Sequence, residues 1–387
     1  MVKELILHLG DCKTGSTAVQ SCLAGGGYVL ARGRLCYPAP MHHNALALSV
    51  GRISDEAQDH GPHLETRFRE MARTLAASDA DWGVISAELF EFVEPAALKE
   101  ALDRFLPEYR GRTRLIAYVR PHHARVLSSY AEGVKKTGGP ESLASFAQAR
   151  MGRDWLSFHP RFAAWRDQFG AAFTLRPFLR DRLLGGDVVH DFMAFVTGGT
   201  QTRITDMPLR NPSLSLPELA MLRLAHHQLG ASGLLEPGAL ALARRQLGWH
   251  MAPLLSQHSP PGATRLQFDR ALAEALREAC ALDARALDAD FFEGSPMTDA
   301  LVAAPGLACA TPQSLAPGDH FDPATIGMIR GWADFTARII AADPAHFKDA
   351  ARPPTERRRS QGKTGRVGPG SAQSLLARMR RRIVRRR

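Results

Sequence analysis

Glu4-Leu5-Ile6-Leu7-His8-Leu9-Gly10-Asp11-Cys12-Lys13-Thr14-Gly15-Ser16-Thr17 begins as a short apolar run and turns polar and glycine-containing at Gly10. It continues into a segment with Ala18, Val19 and Leu23 on one side. That pattern predicts a buried strand over 4–9, a tight loop over 10–15 and a helix after it. A strand–loop–helix joint gathers backbone N–H groups and the positive end of a helix dipole at one spot, where an anion is favoured. Lys13 adds a charge, and Thr14, Ser16 and Thr17 add hydroxyls around Gly15. These five residues are the candidate phosphate-binding set.

Outward from this joint, Trp82–Ser86 reads as a second strand running up to Glu88. Leu115–Val119 reads as a third, with Arg120 at its carboxyl end, and Phe173–Leu175 lies in a fourth. Between them, Leu64, Phe68, Met71 and Leu75 recur at helical spacing, as do Leu98, Leu102 and Phe105 after Pro95. Leu127, Tyr130, Ala131 and Val134 after Pro121 do the same, and another helix is expected from Asp187 to Val196. Both prolines suit a first helical turn. Strands alternating with helices predict an α/β fold, a central parallel sheet flanked by helices. From Ser215, which forms a capping box with Glu218, the pattern turns to helices alone, near 218–229, 266–280 and 323–342. The expected organisation is an α/β core over 1–205, a helical C-terminal extension over 206–350 belonging to the same catalytic unit, and a disordered Arg-rich tail over 351–387.

The 387 residues are 45% hydrophobic and 23% charged, ordinary for a soluble globular chain. No apolar run is long enough to span a bilayer, and Met1–Glu4 leads straight into a strand, so no signal peptide is expected. The five cysteines are scattered without metal or disulfide spacing, which favours a reducing compartment and a cytoplasmic protein. The net charge of +10 is uneven, because Arg352–Arg387 holds 13 Lys and Arg against the single acid Glu356. The rest of the chain is nearly neutral, so any pull on polyanions belongs to the tail, and a nucleic-acid-binding body is not expected. Within the tail, Leu375, Leu376, Met379 and Ile383 recur among arginines. Two readings stand: an amphipathic helix suited to an anionic membrane surface, where the protein would sit peripherally, or a solubilising disordered tail.

The loop is not a Walker A motif, since Lys13 precedes Gly15 by two positions instead of following a glycine. None of the strands read above ends in an aspartate that would hold Mg²⁺, which counts against a metal-dependent nucleotide phosphotransferase or kinase. Sulfuryl transfer fits better: the sulfuryl group carries less negative charge, so a lysine and N–H donors suffice at the bridging oxygen.

The stretch Leu7–Thr17 resembles the 5'-phosphosulfate loop of sulfotransferases that use 3'-phosphoadenosine 5'-phosphosulfate (PAPS). Leu115–Tyr130 is similar to that family's 3'-phosphate motif, a strand ending in Arg with Ser eight residues later; Arg120 and Ser128 stand at those positions. Arg210-Asn211-Pro212-Ser213-Leu214-Ser215 resembles a stretch of bacterial members that could form a lid over the nucleotide or simply start the next helix. The likeness spans roughly residues 5–215. It implies a P-loop-like sulfotransferase fold, PAPS as donor and no metal. Lys13 would serve the bridging oxygen, and Arg120 and Ser128 would hold the 3'-phosphate, arginine through its planar fork.

In-line attack on sulfur requires the acceptor to lose a proton. Glu88 stands just past a strand, where glycan sulfotransferases of this family carry their glutamate. His43, in His42-His43, is the second candidate by analogy with small-molecule members. Glu88 is preferred, and with it a carbohydrate or glycolipid acceptor. Cys12, beside Lys13, is read as a small residue filling the loop and not as a redox centre. The competing readings are a non-catalytic protein of this fold and a nucleic-acid-binding protein acting through the tail.

Overall fold

The computed structural model describes residues 1–51, 63–206, 213–344 and 347. The strands are β1 (Glu4–His8), β2 (Tyr28–Leu30), β3 (Leu35–Cys36), β4 (Trp82–Ser86), β5 (Thr113–Val119), β6 (Phe173–Pro177) and β7 (Thr202–Ile204). The helices are α1 (Ser16–Gly25), α2 (Asn44–Val50), α3 (His63–Ala77), α4 (Pro95–Phe105), α5 (His122–Thr137), α6 (Leu143–Gln148) and α7 (Phe158–Phe169). They continue as α8 (Val188–Thr197), α9 (Leu216–Ala231), α10 (Pro237–Gln257), α11 (Arg270–Phe291), α12 (Pro296–Ala303) and α13 (Pro323–Ala342).

Five strands form one parallel sheet in the order β3-β4-β1-β5-β6, with β1 at its centre. Alternation along β1 divides the interior. Leu5 and Leu7 enter the core on the α3, α4, α5 and α7 side, while Ile6 enters the core built with α1 and α8. The chain therefore leaves β1 toward one face and leaves β4 and β5 toward the other. Diverging exits of this kind open a crevice at the carboxyl end of an open α/β sheet.

The strands read from sequence are present, as are the helices opened by Pro95 and Pro121 and the Ser215–Glu218 capping box, in which the Ser215 N–H donates to Glu218 Oε2 at 2.6 Å. The pattern did not reveal α10. Its buried residues are Ala243, Gly248 and Ala252, so it packs without any stripe of large apolar side chains. The antiparallel pair β2–β7 was also missed, each strand being three residues long and half-exposed. After β7 the described chain is helical. Leu219, Leu276, Leu287 and Leu301 of these helices belong to the same core as Leu5, Leu7 and Leu115 of the sheet. No described helix is long and apolar enough to cross a membrane. The tail, with Leu375, Leu376, Met379 and Ile383, lies outside the described residues, as do Arg210–Pro212 of the stretch read as a lid or as the start of the next helix.

Gly10 is a tight point of this architecture, where the loop after β1 meets the chain after β4. At φ 79°, a Cβ here would stand 2.5 Å from the Glu88 Cα and 3.0 Å from the Ala87 carbonyl oxygen, both main-chain atoms. Gly10→Ala should cost about 2 kcal/mol or more in denaturant unfolding. Gly111→Ala, also at positive φ but with nothing within 4 Å, should cost about half that. Equal losses would contradict the crowding.

Candidate active site

The loop after β1 rises between its two neighbours: the Leu9 N–H donates to the Ile116 oxygen at 2.9 Å and the Ala87 N–H to the His8 oxygen at 3.1 Å. Gly15 caps α1 in the left-handed conformation without a side-chain hydrogen bond. Lys13, at φ 74°, is the one non-glycine residue at positive φ among the described residues. Among the described residues, the N–H groups of Lys13, Thr14, Gly15, Ser16 and Thr17 bond to no protein acceptor. Successive free amides at the positive end of a helix form an anion receptor.

The hydroxyls behave differently from expectation. Thr14 Oγ1 donates to the Asp11 carbonyl at 2.7 Å and Ser16 Oγ to the same oxygen at 3.3 Å, and both residues are buried. Their protons are spent holding the loop's own backbone, so only Thr17 presents an open hydroxyl.

A buried set of charges supports the loop from below. Arg161 of α7 donates to both Asp11 carboxylate oxygens, at 2.6 and 2.9 Å. Arg125 of α5 donates to Glu91 Oε1 at 2.6 Å and to the Cys12 carbonyl, while the Cys12 N–H donates to Glu91 Oε2 at 2.9 Å. Arg125 lies over Trp155 and Arg161 over Phe162, with 5.2 and 4.3 Å to the ring centroids. Burial alone would raise the Glu91 carboxyl, but Arg125 and Arg161 outweigh it and hold it below the usual range. Burial, with Glu91 and Glu88 adding to it, pushes the Cys12 thiol well up, which suits a loop filler and not a redox centre. Sequence reasoning missed Asp11, Glu91, Arg125 and Arg161 because their partners lie 34 to 150 positions away in the chain.

Arg120 stands at the carboxyl end of β5, next to the loop. Its guanidinium lies 4.8 Å from the Phe178 ring centroid and has no hydrogen bond or ion pair among the described residues, with Nε fully enclosed. Burial first, and the charge of Arg125 second, pull its pKa down to about 10, so it remains a cation at neutral pH. The Phe178 ring also lies against Gly15, 3.2 Å from where a Cβ would stand, and so bridges Arg120 to the start of α1.

Ser128 is half-buried on α5. It lies one turn from Arg125, which holds the Cys12 carbonyl, and one turn from Glu132, which takes Lys13 Nζ at 3.2 Å. Ser128 thus faces the loop from between two of its contacts. Glu132 also pairs with Lys135 and Lys136, at 3.1 and 2.6 Å. Burial would raise its carboxyl, yet Lys13, Lys135 and Lys136 together bring it down to about 2.

On the β4 side, Glu88 follows the strand with its Cα against Gly10, and its carboxylate has no hydrogen bond or ion pair among the described residues. His43 is buried. Its Nδ1 stands 3.0 Å from the Ser86 N and 3.3 Å from the Ser86 carbonyl oxygen, so the ring is tied to the Ser86 main chain, and Nε2 is enclosed without a partner among the described residues. Burial holds its pKa down to about 4. Below it, His8 Nδ1 meets Ser86 Oγ at 2.8 Å, and burial lowers His8 to about 3. The sequence candidates therefore line the carboxyl ends of β4, β1 and β5 in the order His43, Glu88, loop, Arg120, with His43 acting as a strut for the β4 terminus.

His8 and His43 stay neutral in the folded state, whereas in the unfolded chain they titrate near 6.5. The unfolded state then binds more protons below that pH, so their contribution is full above about 6.5 and is lost as pH falls toward 4 and below. Denaturant midpoints should fall over this window. His43→Asn, which keeps an acceptor for the Ser86 amide, should flatten part of the fall; an unchanged slope would contradict the assignment.

No protein-family model, curated protein or solved structure matches this chain.

Proposed function

We propose that the chain is a PAPS-dependent sulfotransferase with a P-loop-like sulfotransferase fold. It would move a sulfuryl group to an acceptor hydroxyl or amine, on a carbohydrate or glycolipid. The observation that carries this reading is Arg120, an enclosed cation with no carboxylate partner among the described residues, standing beside a loop whose five amides bond to no acceptor among them. The carboxyl edge of the sheet thus offers two separate anion receptors. PAPS carries anions at two separate positions, the 5'-phosphosulfate and the 3'-phosphate, whereas ADP carries one group.

In this reading the amides of residues 13–17 and Lys13 bind the 5'-phosphosulfate, and Arg120 with the Ser128 hydroxyl binds the 3'-phosphate. The donor supplies the sulfuryl group and leaves as adenosine 3',5'-bisphosphate. Lys13 exchanges Glu132 for the donor and stabilises charge on the oxygen released from sulfur. Glu88 takes the acceptor proton, its carboxylate being uncommitted, while His43 is engaged with the Ser86 amide. The carbohydrate preference rests on this glutamate-type base.

Adenosine 3',5'-bisphosphate at about 100 times Kd should stabilise the protein by roughly 2.7 kcal/mol in thermal unfolding, with ADP and AMP giving much less. Arg120→Ala should weaken the bisphosphate by about 2 kcal/mol, some thirty-fold in Kd. Equal stabilisation by ADP would return the phosphotransferase reading. Glu88→Gln should lower kcat by roughly a hundred-fold or more with bisphosphate affinity unchanged; near-normal turnover would remove Glu88 from the role.

A further inference from the structure

One face of α13 points to a membrane. The helix buries Ala333, Ala337 and Ile340 against its neighbours, chiefly α9, and turns its other side outward. There Met328, Trp332, Phe335 and Ile339 are 61%, 74%, 60% and 52% exposed. At about 100° per residue these four fall within an arc of about 60°, so they form one continuous strip. Leu282, Val302 and Leu307, at 77%, 60% and 69% exposure, lie on separate elements, as is ordinary for single exposed apolar side chains. The one acid within α13, Asp334, is turned aside to α9, where it accepts from Gln228 Nε2 at 2.9 Å. Arg338 is the charge nearest the strip along the helix.

The chain that follows says what covers this strip. Arg352 begins ten residues beyond α13, and from there to Arg387 the sequence holds 13 Lys and Arg against one Glu. A partner that engages both must accept an uncharged apolar face and a dense polycation. An anionic bilayer does both, since its interface accepts aromatic and aliphatic side chains while its headgroups attract the basic segment. A second copy would satisfy the strip but would bring another segment of the same charge with it.

We propose that the Met328–Trp332–Phe335–Ile339 strip is a membrane-docking face that seats the protein on anionic lipid. This rests on α13 and the charge pattern, and stands whether or not the sulfotransferase reading holds.

The full chain is floated with vesicles of phosphatidylcholine alone and with vesicles of phosphatidylcholine mixed with phosphatidylserine. Binding to the mixed vesicles is expected, with Trp332 shielded from an aqueous quencher. Trp332→Ser/Phe335→Ser should weaken that binding roughly ten-fold or more, while Trp332→Phe keeps it. An unchanged unfolding midpoint will show that the double variant is folded. Full binding by the double variant would overturn the proposal, leaving the basic segment as sole attachment. So would a lipid-free dimer in sedimentation that the double variant abolishes, since a second copy would then own the strip.

Discussion

Asp11 would be a bare charge beneath the loop if Arg161 did not reach it from α7 with two hydrogen bonds. An isolated buried carboxylate is among the costliest things a fold can contain, and losing one partner of such a pair typically costs about 3–5 kcal/mol. Arg161 and Arg125 answer Asp11 and Glu91, so four charges from four parts of the chain neutralise one another directly under the backbone that turns its amides outward. Because those charges are satisfied internally, the loop above can remain unsatisfied. The N–H groups of residues 13–17 bond to no acceptor among the described residues, and the left-handed Lys13 is held there by its surroundings.

The contrast between Arg125 and Arg120 makes the same point from the other side. Both stand near the loop and both are largely enclosed. One is paired with Glu91, while the other rests on Phe178 with no ion pair among the described residues. A paired arginine has its donors spent on structure; Arg120 keeps its own uncommitted among the described residues. Phe178 lets Arg120 remain desolvated, because a ring face gives a guanidinium attraction without satisfying its donors.

The legible part of this protein was the part written locally. Continuous apolar runs marked β1, β4, β5 and β6, since strands buried on both faces need no alternation, and Pro95, Pro121 and the Ser215–Glu218 pair marked helix starts. Lys13, Glu88 and Arg120 could be picked out because each follows or joins a strand end, where such sheets hold ligands. What sequence could not supply was direction. Nothing in Thr14 or Ser16 announces that their hydroxyls turn back onto the Asp11 carbonyl, nor does His43 announce that its Nδ1 serves a backbone amide. The paired charges of Asp11, Glu91, Arg125 and Arg161 exist only once the chain is folded. The helix α10 hid for a related reason, because small residues that let helices approach closely look like nothing in a hydrophobicity pattern.

The contact of Gly10 with the main chain of Glu88 has a consequence for how such a site can change over time. The loop proposed to receive the donor and the segment carrying the proposed base touch through backbone atoms, with no side chain between them. Their separation is therefore a property of the sheet, inherited by every variant that keeps a glycine at that position. Side chains elsewhere around the crevice carry no such duty. In the proposed reaction the chemistry would then stay constant while the walls around the acceptor drift, so new substrates would be recruited without rebuilding the machinery that serves them.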